Sequence, residues 1–394
     1  MVILSIETSC DETAICLLKA NGTFNKPKFK ILGNTLLSQI DIHKEYGGVF
    51  PALAKREHSK NLIPIFEKTL KEAGLFANGK SKITEKTEKE IHKLLEREPE
   101  LREQFFKLLK TIKKPKIDCI AVTYGPGLEP ALWVGINFAK ALSMLWQKPL
   151  VPVNHMEGHL LSPLANKKTD TKRGPVKFPA LALLISGGHS EFVLMKKPLI
   201  YKRVGETRDD AVGEAFDKVA RMLGLQYPGG PKVSALAKTT RDNTNWTPRY
   251  PLPRPMLHTK DLDMSFSGLK TAVLYTIKKI EKITDDDKKN IAREFEDSVI
   301  EILVSKTRDA IKKYRIKSFL VGGGVIANQE IRNALENMIK KESPQTSVFF
   351  PEREMSTDNA IMIAVAGYFR AQKEKPKYNK QKNAKIKARG SLRI

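Results

Sequence analysis

Val2–Leu18 reads VILSIET, SCDET, AICLL: an apolar run, a short polar turn with two acidic residues, and a second apolar run. Aliphatic stretches around small or acidic turn residues are the pattern of a β-hairpin. Leu181–Met195 repeats it as LALLIS, GGHS, EFVLM. Each hairpin precedes a stretch of mixed helix and strand. A third apolar strand, Phe319-Leu320-Val321, runs into Gly322-Gly323-Gly324, and a helix is expected from near Asn328. The economical architecture is two α/β lobes with a cleft between them, and such clefts bind ligands.

At 394 residues the chain is long enough for two substantial cores. Its 41% hydrophobic and 29% charged content is that of a globular chain. No apolar run is long enough to span a bilayer, so no membrane role is expected. The start, Met1–Ile6, has neither a basic leader nor a cleavage site and reads as a strand. Cys10, Cys16 and Cys119 make no CxxC pattern or disulfide framework, which fits a reducing cytoplasm. The formal net charge of +25 points to a polyanionic partner. Nucleic acid comes before membrane, since no amphipathic anchor is evident.

That charge is unevenly spread. Residues 373–394 carry seven Lys and two Arg against one Glu, with few apolar residues. They read as a flexible basic tail that touches RNA phosphates without sequence preference. Residues 80–116 are rich in both Lys and Glu, and Pro99 divides their apolar periodicity into two helices. This block reads as a solvated helical insertion, with a docking surface as the alternative.

His155-Met156-Glu157-Gly158-His159 carries the clearest chemistry. Histidines four apart on a helix lie about 40° apart on one face and can hold a metal. Glu157 lies about 200° round from His155, on the far side. In the zinc-protease motif the Glu follows the first His directly and acts as general base. The spacing here favours metal binding over peptide hydrolysis. A lone HxxxH also fits a pair of helix histidines making ordinary hydrogen bonds.

Glycine-rich turns suggest a nucleotide. Ser186-Gly187-Gly188-His189 sits at a hairpin turn, Tyr227-Pro228-Gly229-Gly230-Pro231 forms a second loop, and Gly322–Gly324 end the third strand. Glycines let backbone N–H groups approach phosphates, and helix N-termini favour anions. None is a P-loop or a GxGxxG fingerprint. Asp217 is a candidate for ribose hydroxyls, or else a helix-surface carboxylate.

These residues belong to a longer series: ETSCDET at 7–13, YGGVFPALAKREH at 46–58, YGPGLEPALWVG at 124–135, NHMEGH at 154–159, LISGGHSEFV at 184–193, DDAVGEAFDKVARMLGLQYPGGP at 209–231, SFSGLKTA at 265–272, VGGGVIAN at 321–328 and STDNAIMIA at 356–364. In this order they resemble the TsaD family, the tRNA N(6)-adenosine threonylcarbamoyltransferases. Only the block near 80–116 and the tail fall outside the resemblance.

The resemblance implies an α/β fold of the actin-like ATPase (ASKHA) type, with two duplicated lobes around a nucleotide cleft and a helical insertion. The expected division is 1–150, then 151–372 with the metal-binding helix and a last helix returning to the first lobe, then the tail. It implies transfer of the threonylcarbamoyl group from threonylcarbamoyl-AMP to the exocyclic amine of adenosine at tRNA position 37. The tRNAs concerned read codons beginning with A.

His155, His159 and Asp358 resemble the ligands of one divalent metal, Fe(2+) or alternatively Zn(2+). Leu184, Ile185, Ser186, Gly187, Gly188, Asp217, Gly230 and Asn328 resemble the adenylate-binding positions, which would also take ATP or ADP analogues. Asp11 and Glu12 resemble acidic residues needed for activity. Archaeal and eukaryotic members tend to have a tyrosine ligand where Leu184 stands, so a bacterial-type three-ligand site is implied. Ala52, where many members have Glu, is a smaller departure. Implied partners are tRNA, through its anticodon stem-loop, a TsaB-like paralogue and a TsaE-like ATPase, or a second copy in a homodimer.

Two other classes fit parts of the chain. A metal peptidase accounts for HxxxH but not for the position of Glu157. A sugar-kinase-like or chaperone-like ATPase accounts for the lobes and leaves the histidines and the charge unexplained.

Overall fold

The computed structural model describes residues 1–165, 174–243 and 245–394. The chain forms two compact units: Met1–Lys168 with Asp358–Ile394, and Thr169–Thr357.

In the first unit, β1 (Val2–Glu7), β2 (Glu12–Thr23) and β3 (Lys26–Ser38) form an antiparallel meander. Strand β4 (Cys119–Gly125) pairs parallel to β1, and β5 (Leu150–Asn154) parallel to β4. The sheet order is β3-β2-β1-β4-β5. In the second unit, β6 (Ala180–Ile185), β7 (Ser190–Lys197) and β8 (Ile200–Glu206) repeat the meander, and β9 (Ser318–Gly322) and β10 (Ser347–Phe349) repeat the parallel additions. Read from β8, the order β8-β7-β6-β9-β10 matches the first sheet strand for strand. This duplication is the ASKHA architecture that the hairpins and the resemblance pointed to. Strands β1 and β6 are mostly apolar because they are buried along almost their whole length, on both faces.

Around the first sheet lie α1 (Ile40–Lys44), α2 (Pro51–Glu72), α3 (Glu85–Leu94), α4 (Pro99–Leu109), α5 (Glu129–Trp146), α6 (His155–Leu161), α12 (Ala360–Glu374) and α13 (Lys380–Ala384). The second carries α7 (Val212–Met222), α8 (Gly229–Lys238), α9 (Ser267–Lys278), α10 (Asp285–Tyr314) and α11 (Gln329–Glu342). No helix among the described residues is long and apolar enough to cross a membrane.

Three expectations differ from this arrangement. Helix α6 belongs to the first unit, not to a second lobe beginning at residue 151. It follows β5 directly and packs on α12, where a Cβ on Gly158 would lie 3.0 Å from Ile363.

The 80–116 block is not merely a solvated insertion. Pro99 does open a second helix, but Ile91, Leu95, Leu101 and Phe105 are fully buried. Phe105 meets Phe138 of α5 edge-on at 6.2 Å. The apolar faces of α3 and α4 complete the core of the unit.

Residues 373–394 are not a free tail. Asn383 Nδ2 donates to Ser143 Oγ at 2.8 Å, Arg389 N to Tyr124 O at 2.8 Å, and Gly127 N to Gly390 O at 3.1 Å. Ile386 and Ala388 pack against the core. Backbone bonds and these alternate apolar residues order a segment whose composition alone reads as disordered.

Candidate functional site

Strand β5 ends at Asn154, whose side-chain oxygen accepts from Met156 N at 2.8 Å and Glu157 N at 3.3 Å. This cap starts α6 at His155 and sets His155 and His159 one turn apart on one face. Asp358 stands just before Asn359, the capping residue of α12. The ring atoms His155 Nε2 and His159 Nε2 are 3.1 Å apart. Asp358 Oδ1 lies 2.9 Å from His159 Nε2 and 3.3 Å from His155 Nε2. Three ligand atoms at metal–ligand distances of about 2.0–2.1 Å in a tetrahedron stand about 3.3 Å from one another. The three atoms therefore already outline one face of such a site, and they fit a divalent ion.

A second layer holds the first ligand. His155 Nδ1 lies 3.1 Å from Ser9 Oγ and 3.3 Å from Glu7 Oε2. Glu7 is wholly buried, accepts from Ser9 N at 2.6 Å, and accepts from Thr123 Oγ1. With Nδ1–H donated to these oxygens, the Nε2 lone pair points to the ligand cluster. Burial acts against the imidazolium on both histidines. On His155 the carboxylates of Asp358 and Glu7 reverse it and raise the ring well above its ordinary range. On His159 burial wins and the ring is shifted down, so it stays neutral.

Glu157 projects the other way. It is wholly buried and ion-paired with Arg370 of α12, which leaves it in no position to serve the cluster. Cys10 is partly buried beside Asp11, and desolvation and that carboxylate push its thiol well up, so it is no ready nucleophile. Asp11 and Glu12 close the β1–β2 turn and begin β2, both with little exposure. Burial, then Asp358 and Asp11, raise Glu12 well above the usual carboxylate range.

The adenylate candidates lie in the second unit. Leu184 and Ile185 are buried in β6, which β7 and β9 flank, and support the loop from beneath. Gly187 and Gly188 are exposed, and a Cβ on either would meet nothing within 4 Å. Gly213 N donates to Ser186 O at 3.2 Å, fastening the start of α7 to this loop.

The glycine pair at 229–230 divides its labour. A Cβ on Gly229 would stand 2.5 Å from Ala220 Cβ, whereas one on Gly230 would meet only Phe216 Cβ at 3.9 Å. Gly229 is there for packing and Gly230 leaves open backbone. Asp217 Oδ1 accepts from Gly229 N at 2.7 Å, so this carboxylate also fixes the start of α8. Asn328 caps α11 through its oxygen and donates to Ser234 Oγ and Glu296 Oε1, both at 2.7 Å.

The sequence reading missed Glu7, Ser9, Ser234 and Glu296. A carboxylate ending the mostly apolar run VILSIE was the available signal for Glu7. Glu296 sits in a charged helix stretch with nothing to distinguish it.

The sequence pattern of the TsaD family, described as tRNA N6-adenosine threonylcarbamoyltransferase, matches residues 30–83 and 96–365. A protein of that name from Paraburkholderia xenovorans is 40% identical over 394 residues, covering 100% of this chain and 98% of the relative. Another, from Herminiimonas arsenicoxydans, is 41% identical over 94% of this chain and 92% of its own length. With its motifs in order, its fold duplicated and its length matched to these relatives, the chain belongs to the TsaD family.

Proposed function

We propose that this chain transfers the threonylcarbamoyl group of threonylcarbamoyl-AMP to the exocyclic amine of adenosine 37 in tRNAs reading codons that begin with A. The carrying observation is the convergence of His155, His159 and Asp358 in a TsaD-family chain. These three residues would hold one divalent ion, Fe(2+) first and Zn(2+) second. When bound, the ion supplies a Lewis acid for the carbamoyl oxygen or a seat for the threonyl carboxylate.

The adenine amine is a weak nucleophile because its lone pair is delocalised into the ring. The mixed anhydride compensates, since AMP leaves readily. As the N–C bond forms, the C–O bond to the phosphate breaks and AMP departs with the electron pair. One proton must leave the amine. Asp11 or Glu12, in the β1–β2 turn, would accept it, and burial raises Glu12 well above the usual carboxylate range. Positioning of the two reactants supplies several kcal/mol of the barrier reduction. No covalent enzyme intermediate is needed, in keeping with the protonated Cys10 thiol.

The backbone of Ser186–Gly188 and Gly230, with Asp217 for ribose, is the proposed adenylate seat. Gly230→Val is expected to abolish adenylate binding by filling the open side. Asp217→Asn keeps the acceptor for Gly229 N but loses the charge-assisted bond, weakening binding by about 1.5–3 kcal/mol. Calorimetry with a non-hydrolysable adenylate analogue measures both, and equal affinity for all three proteins would reject the seat.

Expected partners are a TsaB-like paralogue and a TsaE-like ATPase, or a second copy of this chain, docking on the N-terminal unit around residues 50–75. A tRNA substrate is consistent with a cytoplasmic site of action. The test is mass spectrometry of tRNA nucleosides after incubation with threonine, bicarbonate, ATP, an adenylate-forming enzyme and this protein. The chain alone is expected to give little product, and the chain with its partners many turnovers. Absence of the modified nucleoside even when the partners are added to the mixture would reject the function. Robust turnover by a monodisperse monomer would reject the need for a partner.

A further inference from the structure

The C-terminal strip, 385–394, reads KIKARGSLRI. Exposure alternates along it: Lys385, Lys387, Arg389 and Arg393 are exposed, whereas Ile386, Ala388, Gly390 and Leu392 are partly covered. Lys385 closes α13 in the helical region, and from Ile386 to Arg389 the chain runs outside any helix or strand, with Lys387 and Arg389 two residues apart on its exposed side. Beyond it a turn forms, with Leu392 N donating to Arg389 O at 3.2 Å. Lys380, earlier in the segment, is paired with Glu90. None of the four outward cations of the strip makes an ion pair among the described residues.

The strip is fixed through its backbone, so its side chains remain available. Lys140 Nζ donates to Ala384 O at 3.1 Å, and the strip then meets Tyr124 and Gly127 through the backbone bonds given above. Gly125 makes this approach possible: at φ +150° it has no Cβ, and one placed there would stand 2.0 Å from Arg389 O. At the far end Asn154 Nδ2 donates to Arg393 O at 3.2 Å. Asn154 is also the cap of α6, immediately before the ligand His155. The row of cations therefore runs up to the turn that presents the metal site.

We propose that Lys385, Lys387, Arg389 and Arg393 form a fixed phosphate rail that seats the tRNA backbone beside the metal centre. The inference rests on the reading of tRNA as substrate. A row of cations without carboxylate partners, on a backbone fixed to the fold, suits a chain of phosphates. A membrane anchor needs apolar side chains outward beside the cations, and here Ile386, Ala388 and Leu392 turn inward. A rail already ordered loses less conformational entropy on binding than a free tail, and its charges stay in register with the site.

The test compares the full-length protein with a Lys385→Gln/Lys387→Gln/Arg389→Gln variant. A second variant, Lys26→Gln/Lys28→Gln/Lys30→Gln, removes three equally exposed cations from β3. Filter binding of unmodified tRNA is measured at several salt concentrations. For the rail variant, the slope of log affinity against log salt is expected to fall by about 2–3, since each lost phosphate contact is worth about 0.7–0.9. The β3 variant should change it by less than about 1. A Lys385→Arg/Lys387→Arg variant keeps the charges and should keep the slope. Metal content and affinity for an adenylate analogue should equal those of the unaltered protein in every variant.

An unchanged slope in the rail variant overturns the proposal, as does an equal fall in the β3 variant or a fall in the arginine variant. The wider reading fails separately: an unaltered protein that binds tRNA with the full slope yet never yields the modified nucleoside keeps the rail and loses the reaction.

Discussion

A His159→Ala chain is expected to fold, to lose its metal and to lose transfer activity by at least about a hundredfold. The magnitude follows from ordinary second-layer partners, whose removal alone costs about 10–100-fold in metal affinity or activity. His159 stands closer than that, with Nε2 at 2.9 Å from Asp358 Oδ1 and 3.1 Å from His155 Nε2. Its side chain is fully buried, so truncation leaves a small cavity costing on the order of 2–3 kcal/mol. That is well short of the roughly 5–15 kcal/mol that holds a domain together, and alanine favours the helix. Binding of ADP, which lacks the threonylcarbamoyl group, should be unchanged, because the glycine loops and Asp217 lie in the other unit. Metal analysis, circular dichroism and nucleoside mass spectrometry read the three outcomes. Metal content and activity equal to those of the unaltered protein would overturn the ligand assignment.

The hairpins were legible because their strands are buried on both faces, where a strand must be apolar throughout. Val2–Glu7 and Ala180–Ile185 announce themselves in that way. The ligand pair was legible because four residues make one helical turn. Asp358, 199 residues from His159, came only through the family resemblance, since no local pattern links them. Glu7 was illegible as a partner of His155 because that contact joins residues 148 apart. Gly229 and Gly230 look alike in sequence; what separates them is Ala220 on the neighbouring helix.

The C-terminal strip misled for a different reason. Its composition is that of a disordered segment, and composition ignores backbone partners. Tyr124, Gly127 and Asn154 supply those partners, and Gly125 supplies the room. Deleting the strip would therefore disturb the first unit as well as any RNA contact, which is why charge substitution is the cleaner experiment. The 80–116 block shows the same limit. Its charged surface was visible, and the burial of Leu101 and Phe105 against the unit was not.

Acid is expected to weaken the protein through His58, at pH values where most carboxylates are still ionised. His58 is fully buried in α2. Its Nε2–H donates to Cys10 O at 3.0 Å, and Nδ1 accepts from Thr13 Oγ1 at 2.8 Å and Gln39 Nε2 at 3.3 Å. A proton on Nδ1 would face the Gln39 amide donor, and burial disfavours the charge. Burial lowers the ring to about 4, against the bond to Cys10 O, which acts upwards. The unfolded chain, at the ordinary value near 6.5, binds this proton first. Stability is therefore full above about pH 6.5, falls as pH drops towards 4, and reaches its limit below that. Between pH 7.5 and pH 5 the loss is about 2 kcal/mol, from the linkage of a folded value near 4 to an unfolded value near 6.5. Glu12, raised in the folded state, pulls the opposite way. The readout must therefore be a difference. Urea unfolding of the metal-free protein at pH 7.5 and pH 5 is compared with that of His58→Gln, which keeps hydrogen-bonding groups and does not titrate. The unaltered protein should lose about 2 kcal/mol more than the variant across this interval. Equal losses would mean that His58 is neutral in both states or charged in both. Because the ring holds Cys10 and Thr13, on either side of Asp11 and Glu12, the same titration would loosen the acidic turn on which proton removal is proposed to depend.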